Sequence, residues 1–357
     1  MKHQIDDLLR KVIVPGVSDV HIKPGHPPLV RLNGDLMESD RFPMLNADDT
    51  LALAYQLLKG HHKDEYEQGF PVDTAHQVPG LARFRVNVYR QRRLAMIVMR
   101  IIPMRIPTFE ELRLPEILRK VAMEPRGLVL VTGVTGSGKT TTLACMLNYI
   151  NGLKSAHILT IEDPIEFLYQ DQVASISQVE IGYDSDSFDS ALRSSLRQDP
   201  DIILVGEMRD METVKTAIKA AEMGYLIFST LHTTDCAKTI NRILDVFPAH
   251  QQQQVRYQLA GSLKAVISMR LLQKADGSGR LPAMEVMLQT STISGYIEDA
   301  KKTGNIRDVI EAGRSQYGMQ SFDQHLTQLY RAGEITLKTA VDASSSPADF
   351  QRSLQFE

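Results

Sequence analysis

"GLVLVTGVTGSGKTTTLACMLNYING", Gly127 to Gly152, runs from an apolar stretch through a glycine-rich turn into a helical pattern. Gly133, four intervening residues, then Gly138, Lys139 and Thr140 fit the phosphate-loop spacing. The glycines let backbone N–H groups turn inward and approach an anion. Lys139 is placed to reach the β- and γ-phosphate oxygens, the Thr140 hydroxyl to hold Mg²⁺, and the helix behind them aims its positive end at the same anion. A glycine-rich turn without a ligand is the plainer alternative, but it does not explain the strand before or the helix after. The expected ATP contacts are therefore Gly133, Thr135, Gly136, Ser137, Gly138, Lys139, Thr140 and Thr141.

Working outward, apolar strands alternate with helices. "AHILTIED", "DIILVGE" and "GYLIFSTLH" are short, β-branched and apolar on both faces, as strands of a covered parallel sheet are. "SFDSALRSSLRQ" and "METVKTAIKAAEMG" read as helices between them. "SFDQHLTQLYRAG" opens on a capping box, Ser321 with Gln324, and closes on Gly333; "SPADFQRSL" puts Pro347 at a first helical position. Upstream, "IDDLLRKVI" has helical spacing, and "DTLALAYQLLKG" is a helix ending at Gly60. "PPLVRLNGDLME" alternates around Asn33-Gly34, a hairpin signal, and "ARFRVNVYRQ" and "LAMIVMRII" read as neighbouring strands. Three prolines between Pro103 and Pro115 mark a linker. The expected division is a small α+β domain at 1–102, a linker at 103–115, a P-loop ATPase core at 116–280 and a helical region at 281–357.

A chain of 357 residues, 43% hydrophobic and 23% charged, has ordinary globular composition and room for more than one core. A net charge of −3 argues against a general nucleic-acid binder. Cys145 and Cys236 are the only cysteines, so neither a cysteine-built zinc module nor a disulfide framework is expected. The opening "MKHQIDDLLRKVIVPG" carries acids and no long apolar core, so no signal peptide is expected. No apolar run approaches the ~20 residues that span a bilayer. The expectation is a cytoplasmic protein with no membrane insertion of its own, reaching a membrane only through partners.

Three more strand ends carry chemistry. "DIILVGEMRD" has Gly206 where many phosphate-loop enzymes place a Mg²⁺-holding Asp, with Glu207 next. A carboxylate just past a strand end takes a proton from the attacking water, or orients it. The blander reading pairs Glu207 with Arg209 on a surface loop. This strand is expected to lie beside the phosphate-loop strand. "ILTIEDPIEF" ends in Glu162, Asp163 and Glu166, at the strand ends that line the ligand crevice of an open α/β sheet. Glu162 or Glu166 is expected to organise Mg²⁺-bound water, against a loop and cap role around Pro164. His232, ending "IFSTLH", is expected to contact the γ-phosphate. Arg193 and Arg197, four apart on a helix, are expected to pair with Asp189 or a neighbouring subunit.

The phosphate loop "GVTGSGKT", the acidic box "TIEDPIE", the strand "RQDPDIILVGEMRD" and the histidine box "STLHTTDCAKTINRILDVFP", in this order, resemble the secretion ATPase superfamily of type II secretion and type IV pilus motors. The glycine before Glu207 belongs to that family's pattern. The resemblance covers nearly the whole chain, including "SDVHIKPGHPPLVRLNGDL" and "PGLARFRVNVYRQR". Within it, the PilT-like pilus retraction group matches best. The chain begins directly at the "SDVHI" domain, lacks the cysteines of the extension motors' zinc module, and carries "YGMQSFDQHLTQLY", similar to the retraction group's C-terminal region. Thr292 to Ile310, "TISGYIEDAKKTGNIRDVI", departs from that group and leaves an accessory, PilU-like role open.

The resemblance implies an α/β protein: a PAS-like α+β domain, then a RecA-like P-loop domain with a C-terminal helical region. It implies a homo-hexamer in which Arg83, Arg85 and Arg92 approach ATP phosphates, although Arg83 and Arg85 also fit the solvated face of a strand. It implies ATP and Mg²⁺ as ligands, an inner-membrane pilus platform protein and a paralogous pilus ATPase as partners, and pilus retraction in twitching motility as the work. Rival readings are an extension or type II secretion ATPase, a nucleotide-binding regulator without turnover, and a RecA-type nucleic-acid motor.

Overall fold

A computed structural model describes residues 3–32, 34–102 and 105–356. They fall into two compact units. The first spans Met1–Arg105 with Glu162–Leu168 and Val179–Ser187; the second spans Ile106–Ile161, Tyr169–Gln178 and Phe188–Glu357.

The first unit is built on strands β1 (Val17–Ile22), β2 (Leu29–Leu32), β3 (Asp35–Glu38), β4 (Val72–Val78), β5 (Ala82–Gln91) and β6 (Leu94–Ile102). Their order is β3-β2-β1-β6-β5-β4, so the last strand returns to lie beside the first, and every pair is antiparallel. Along β5 the period of two puts Ala82, Phe84, Val86 and Val88 into the core and leaves Arg83 and Arg85 on the other face. Helices Ile5–Val12 and Ala47–Leu57 cover the apolar face with Leu8, Leu9 and Leu53, all fully buried. Of the expected hairpin residues, Asn33 lies outside the described residues; β2 and β3 do pair, with Leu32 opposite Asp35. The helix expected to run to Gly60 stops at Leu57. Leu58 turns to extended geometry, and after Gly60, at φ 53, the separate helix His61–Glu67 begins.

The second unit carries β7 (Gly127–Thr132), β8 (His157–Glu162), β9 (Ser175–Glu180), β10 (Ile202–Val205), β11 (Leu226–Leu231), β12 (Leu263–Gln273) and β13 (Arg280–Leu288) in the order β13-β12-β7-β11-β10-β8-β9. β12, β7, β11, β10 and β8 pair parallel, and β13 closes one edge antiparallel to β12. Every residue of β7, β10 and β11 is buried, as continuous apolar strands require.

Two expectations are corrected here. β10 does not lie beside the phosphate-loop strand β7. The helix Met211–Met223 carries the chain over so that β11 fills the slot between them. The helical region expected from residue 281 starts later: "RLPAMEVML" is β13, with 281–287 buried against β12 and its surroundings, and helices follow from Ser291. The capping box at Ser321 and the helix start at Pro347 stand as read. The protein is α/β, with a PAS-like α+β unit and a RecA-like P-loop unit that ends in helices.

Candidate active site

The phosphate loop joins β7 to the helix Lys139–Asn151. Gly133 holds φ 147, and a Cβ there would meet Ser137 Oγ at 2.5 Å and the Met269 carbonyl at 2.6 Å, so no side chain fits. Gly138, at φ 96, caps the helix in the left-handed region. The buried Lys139 donates from Nζ to the carbonyls of Gly133 (2.8 Å) and Val134 (3.2 Å), which folds the ammonium over the loop's own concavity. Ser137 Oγ is buried with no hydrogen-bond partner among the described residues. Such a hydroxyl costs about 1–3 kcal/mol, and a phosphate oxygen in the loop would satisfy it. The orphaned hydroxyl, the side-chain-excluding glycine and the helix N-terminus together fit a nucleotide's phosphates.

Beside the loop, Gly138, Thr141, Thr142, Leu112, Leu114 and Leu271 help line a cavity of ≈ 170 Å³. Its Leu112 and Leu114 come from the stretch read in the sequence as linker. Sequence reasoning had no signal for this cavity, because its walls come from three distant segments.

Glu207 follows β10. Its carboxylate oxygens lie 2.8 Å from Arg209 Nη2 and 3.0 Å from His232 Nε2, the residue after β11. Adjacent parallel strands thus bring the two predicted residues together. The blander pairing with Arg209 is present as well. Burial pushes the Glu207 carboxyl up, but the hydrogen bond and charge of Arg209, then those of His232, outweigh it and hold it below the ordinary carboxylate value. The turn carrying Glu207 is fixed from β11: Ser229 Oγ donates to the Val205 carbonyl and Thr230 Oγ1 to the Gly206 carbonyl, both at 2.7 Å.

Comparison with known proteins places this geometry. The family model for the "Type II/IV secretion system protein" matches residues 1–355. The chain is 45% identical over 346 residues to the type IV pilus retractation ATPase PilT of Pseudomonas aeruginosa, covering 97% of this chain and 99% of that one. The chain belongs to the type II/IV secretion ATPase family. It is similar, at 38% identity over 98% of its length and 90% of the relative's, to the type IV pilus ATPase PilU of the same organism. A solved structure described as the pilus retraction motor PilT with bound ADP superposes with a TM-score of 0.89 at 42% identity, covering 98% of this chain and all of that one. The protein is a PilT-like, nucleotide-binding ATPase of this family.

In this secretion ATPase a run of hydroxyls that the sequence did not single out links the loop strand to the histidine box. Thr132 Oγ1 lies 2.8 Å from Ser268 Oγ and 3.5 Å from Thr239 Oγ1, which in turn lies 2.7 Å from Thr233 Oγ1, next to His232. Arg193 pairs with Asp189 at 2.8 Å, as expected, and with Glu212.

The remaining candidates belong to the first unit. Arg83 donates from Nε to the Ile165 carbonyl (2.9 Å) and from Nη2 to Glu180 (3.3 Å). Arg85 lies 3.3 Å from Glu166. Arg92 and Arg93, at φ 51 and 66, form the exposed two-residue turn between β5 and β6. Glu162, at the end of β8, is buried, and its carbonyl accepts the Ile181 N–H at 2.9 Å. Among the described residues no helix is long and apolar enough to cross a membrane.

Proposed function

We propose that this chain is a hexameric, cytoplasmic motor that couples ATP hydrolysis to type IV pilus retraction. It would act peripherally at the inner membrane on a pilus platform protein, alongside a paralogous pilus ATPase. The observation that carries the catalytic reading is Glu207, an ionised carboxylate at a strand end, held by His232 and Arg209 in the same unit as the phosphate loop. The likeness to PilT over almost the whole chain supports the biological reading.

In this mechanism the loop backbone, Ser137 and Lys139 bind the β- and γ-phosphates, and the cavity beside Thr141 takes the base and ribose. Thr140 would hold Mg²⁺, which would supply charge neutralisation to the phosphates. Water attacks the γ-phosphorus; Glu207 takes its proton, and ADP and inorganic phosphate leave. The Glu207 partners His232 and Arg209 are exposed enough to move with the γ-phosphate. They pass its presence through Thr233 and Thr239 to Thr132. Arg85 and Arg92, the more exposed of the first unit's candidate arginines, contact phosphate charge in the assembled ring. Arg83 serves as a strut.

Magnesium-dependent ATPase activity of the purified chain, reduced by about 10²–10³ in Lys139→Ala, tests the enzyme reading. Surface pili in a deletion strain test the biological one. Excess, non-retracting pili are expected, and loss of pili would contradict retraction. Unchanged pili would favour the accessory reading that the PilU likeness keeps open.

A further inference from the structure

The helix His61–Glu67, in the first unit, opens with two adjacent histidines and has Glu65 one turn on. One ligand atom from each of His61, His62 and Glu65 lies within 4.8 Å of the others. The two imidazole rings lie 4.3 Å apart at their centroids, tilted by 51°. Both Nε2 atoms face Gly182. A Cβ on that residue, which holds φ +88, would stand 3.1 Å from His61 Nε2 and 3.3 Å from His62 Nε2. The glycine therefore keeps the space in front of both nitrogens open.

The other nitrogen of His62 is engaged. Nδ1 lies 3.2 Å from Tyr183 Oη, and Tyr183 Oη lies 2.8 Å from Thr74 Oγ1. With Nδ1–H donating to the phenol and the phenol donating to Thr74, Nε2 carries the lone pair. This is the orientation that an outer hydrogen bond imposes on a metal-binding imidazole. Burial and neighbouring His61 push the His62 imidazolium down in pKa against Glu65 and Asp163, which leaves a neutral ring near pH 7. The Glu65 and Asp163 carboxylates provide the negative charge a dication needs. Two imidazoles and one carboxylate suit zinc, nickel or cobalt and are poor ligands for magnesium or calcium.

We propose that His61, His62 and Glu65 bind a divalent transition-metal ion of the zinc class, with Tyr183 as positioning residue and Gly182 as the gap that admits the ion. The hydrogen bond between His62 and Tyr183 ties this site on the helix His61–Glu67 to the Gly182-Tyr183 turn within the first unit. Sequence alone hides the site, because its glycine and tyrosine lie about 120 residues from its histidines.

The test is titration of the metal-stripped, untagged full-length chain with Zn²⁺ by equilibrium dialysis, and with Co²⁺ by visible absorption. The expected result is one high-affinity ion per chain and a tetrahedral-type Co²⁺ spectrum. His61→Ala and Glu65→Gln, both at exposed positions, should each weaken binding by at least about 10-fold. Tyr183→Phe, which removes the hydroxyl that bridges His62 and Thr74 but no ligand, should weaken it by about 10–100-fold. Gly182→Ala should do so without removing any ligand. ADP binding by each variant serves as the control for folding. No high-affinity Zn²⁺ uptake, or uptake unchanged by His61→Ala and Glu65→Gln, would overturn the proposal.

Discussion

Two ion-pair clusters in this protein use the same chemistry for opposite ends. After β10, Glu207 is 16% exposed, but its partners Arg209 and His232 are 70% and 47% exposed. Between β5 and the end of β9, both members of the Arg83–Glu180 pair are sheltered, at 14% and 10%. Glu180 also accepts the Ile165 N–H at 3.0 Å, and Arg83 donates to the Ile165 carbonyl. A buried pair with its hydrogen bonds satisfied is costly to break, because either partner alone is left as an uncompensated charge. An acid held by exposed cations can lose one of them to solvent or to a phosphate at little cost. In the proposed mechanism the first cluster is the one that reacts, while the second is built to hold. The difference teaches that exposure of the partners, rather than the presence of an ion pair, separates the carboxylate proposed to react from the structural one.

The comparison breaks most visibly at Arg83. Arg83→Ala should cost about 3–5 kcal/mol of stability, read by denaturant unfolding. Burial already pushes the Glu180 carboxyl up, with the Ile165 N–H and Arg83 pulling it down. Without Arg83 it rises further. The folded variant then binds a proton more readily than its unfolded chain, so the deficit relative to the parent should shrink as pH is lowered toward 5.

Lys139→Ala should act the other way round. It should cost about 10²–10³ in turnover and shift the unfolding midpoint less than Arg83→Ala does, because the ammonium's bonds to the Gly133 and Val134 carbonyls lie within the loop itself.

A third site calibrates the stability scale away from both clusters. Burial pushes His325 down to about 4, and its Nδ1 accepts the Met284 N–H, which occupies the lone pair a proton would need. The ordinary value is 6.5, a gap worth about 3 kcal/mol at 1.36 kcal/mol per pH unit. A depressed histidine stabilises fully above the unfolded value. The second unit should thus lose that stability progressively from pH 6.5 toward 4, and His325→Gln should flatten this dependence in thermal melts. Smallest of all, Arg85→Ala, which removes one exposed pair with Glu166, should cost only about 0.2–1 kcal/mol.

What the sequence disclosed follows the reach of each interaction. The phosphate loop and the Gly206-Glu207 strand end are local patterns, legible because chemistry and backbone geometry lie within ten residues. The meeting of Glu207 and His232 was half legible: both sit at strand ends, but the adjacency of β10 and β11 depends on a crossover, and β10 was wrongly placed beside β7. "LPAMEVML" was misread because a short apolar run buried on both faces has no period to distinguish strand from helix. Arg83 showed only the alternation of a strand; its partner Glu180 lies 97 residues away. The same distance hid Gly182 from His61 and His62.

The most direct test of the central claim is single-turnover hydrolysis by Glu207→Gln, with ATP binding measured in parallel. Glutamine keeps the shape and a hydrogen bond to Arg209 but cannot take the proton of water. The account predicts ATP binding within a few-fold of the parent and a chemical step slowed by about 10²–10⁴. A chemical step at the parental rate, with binding intact, would contradict it.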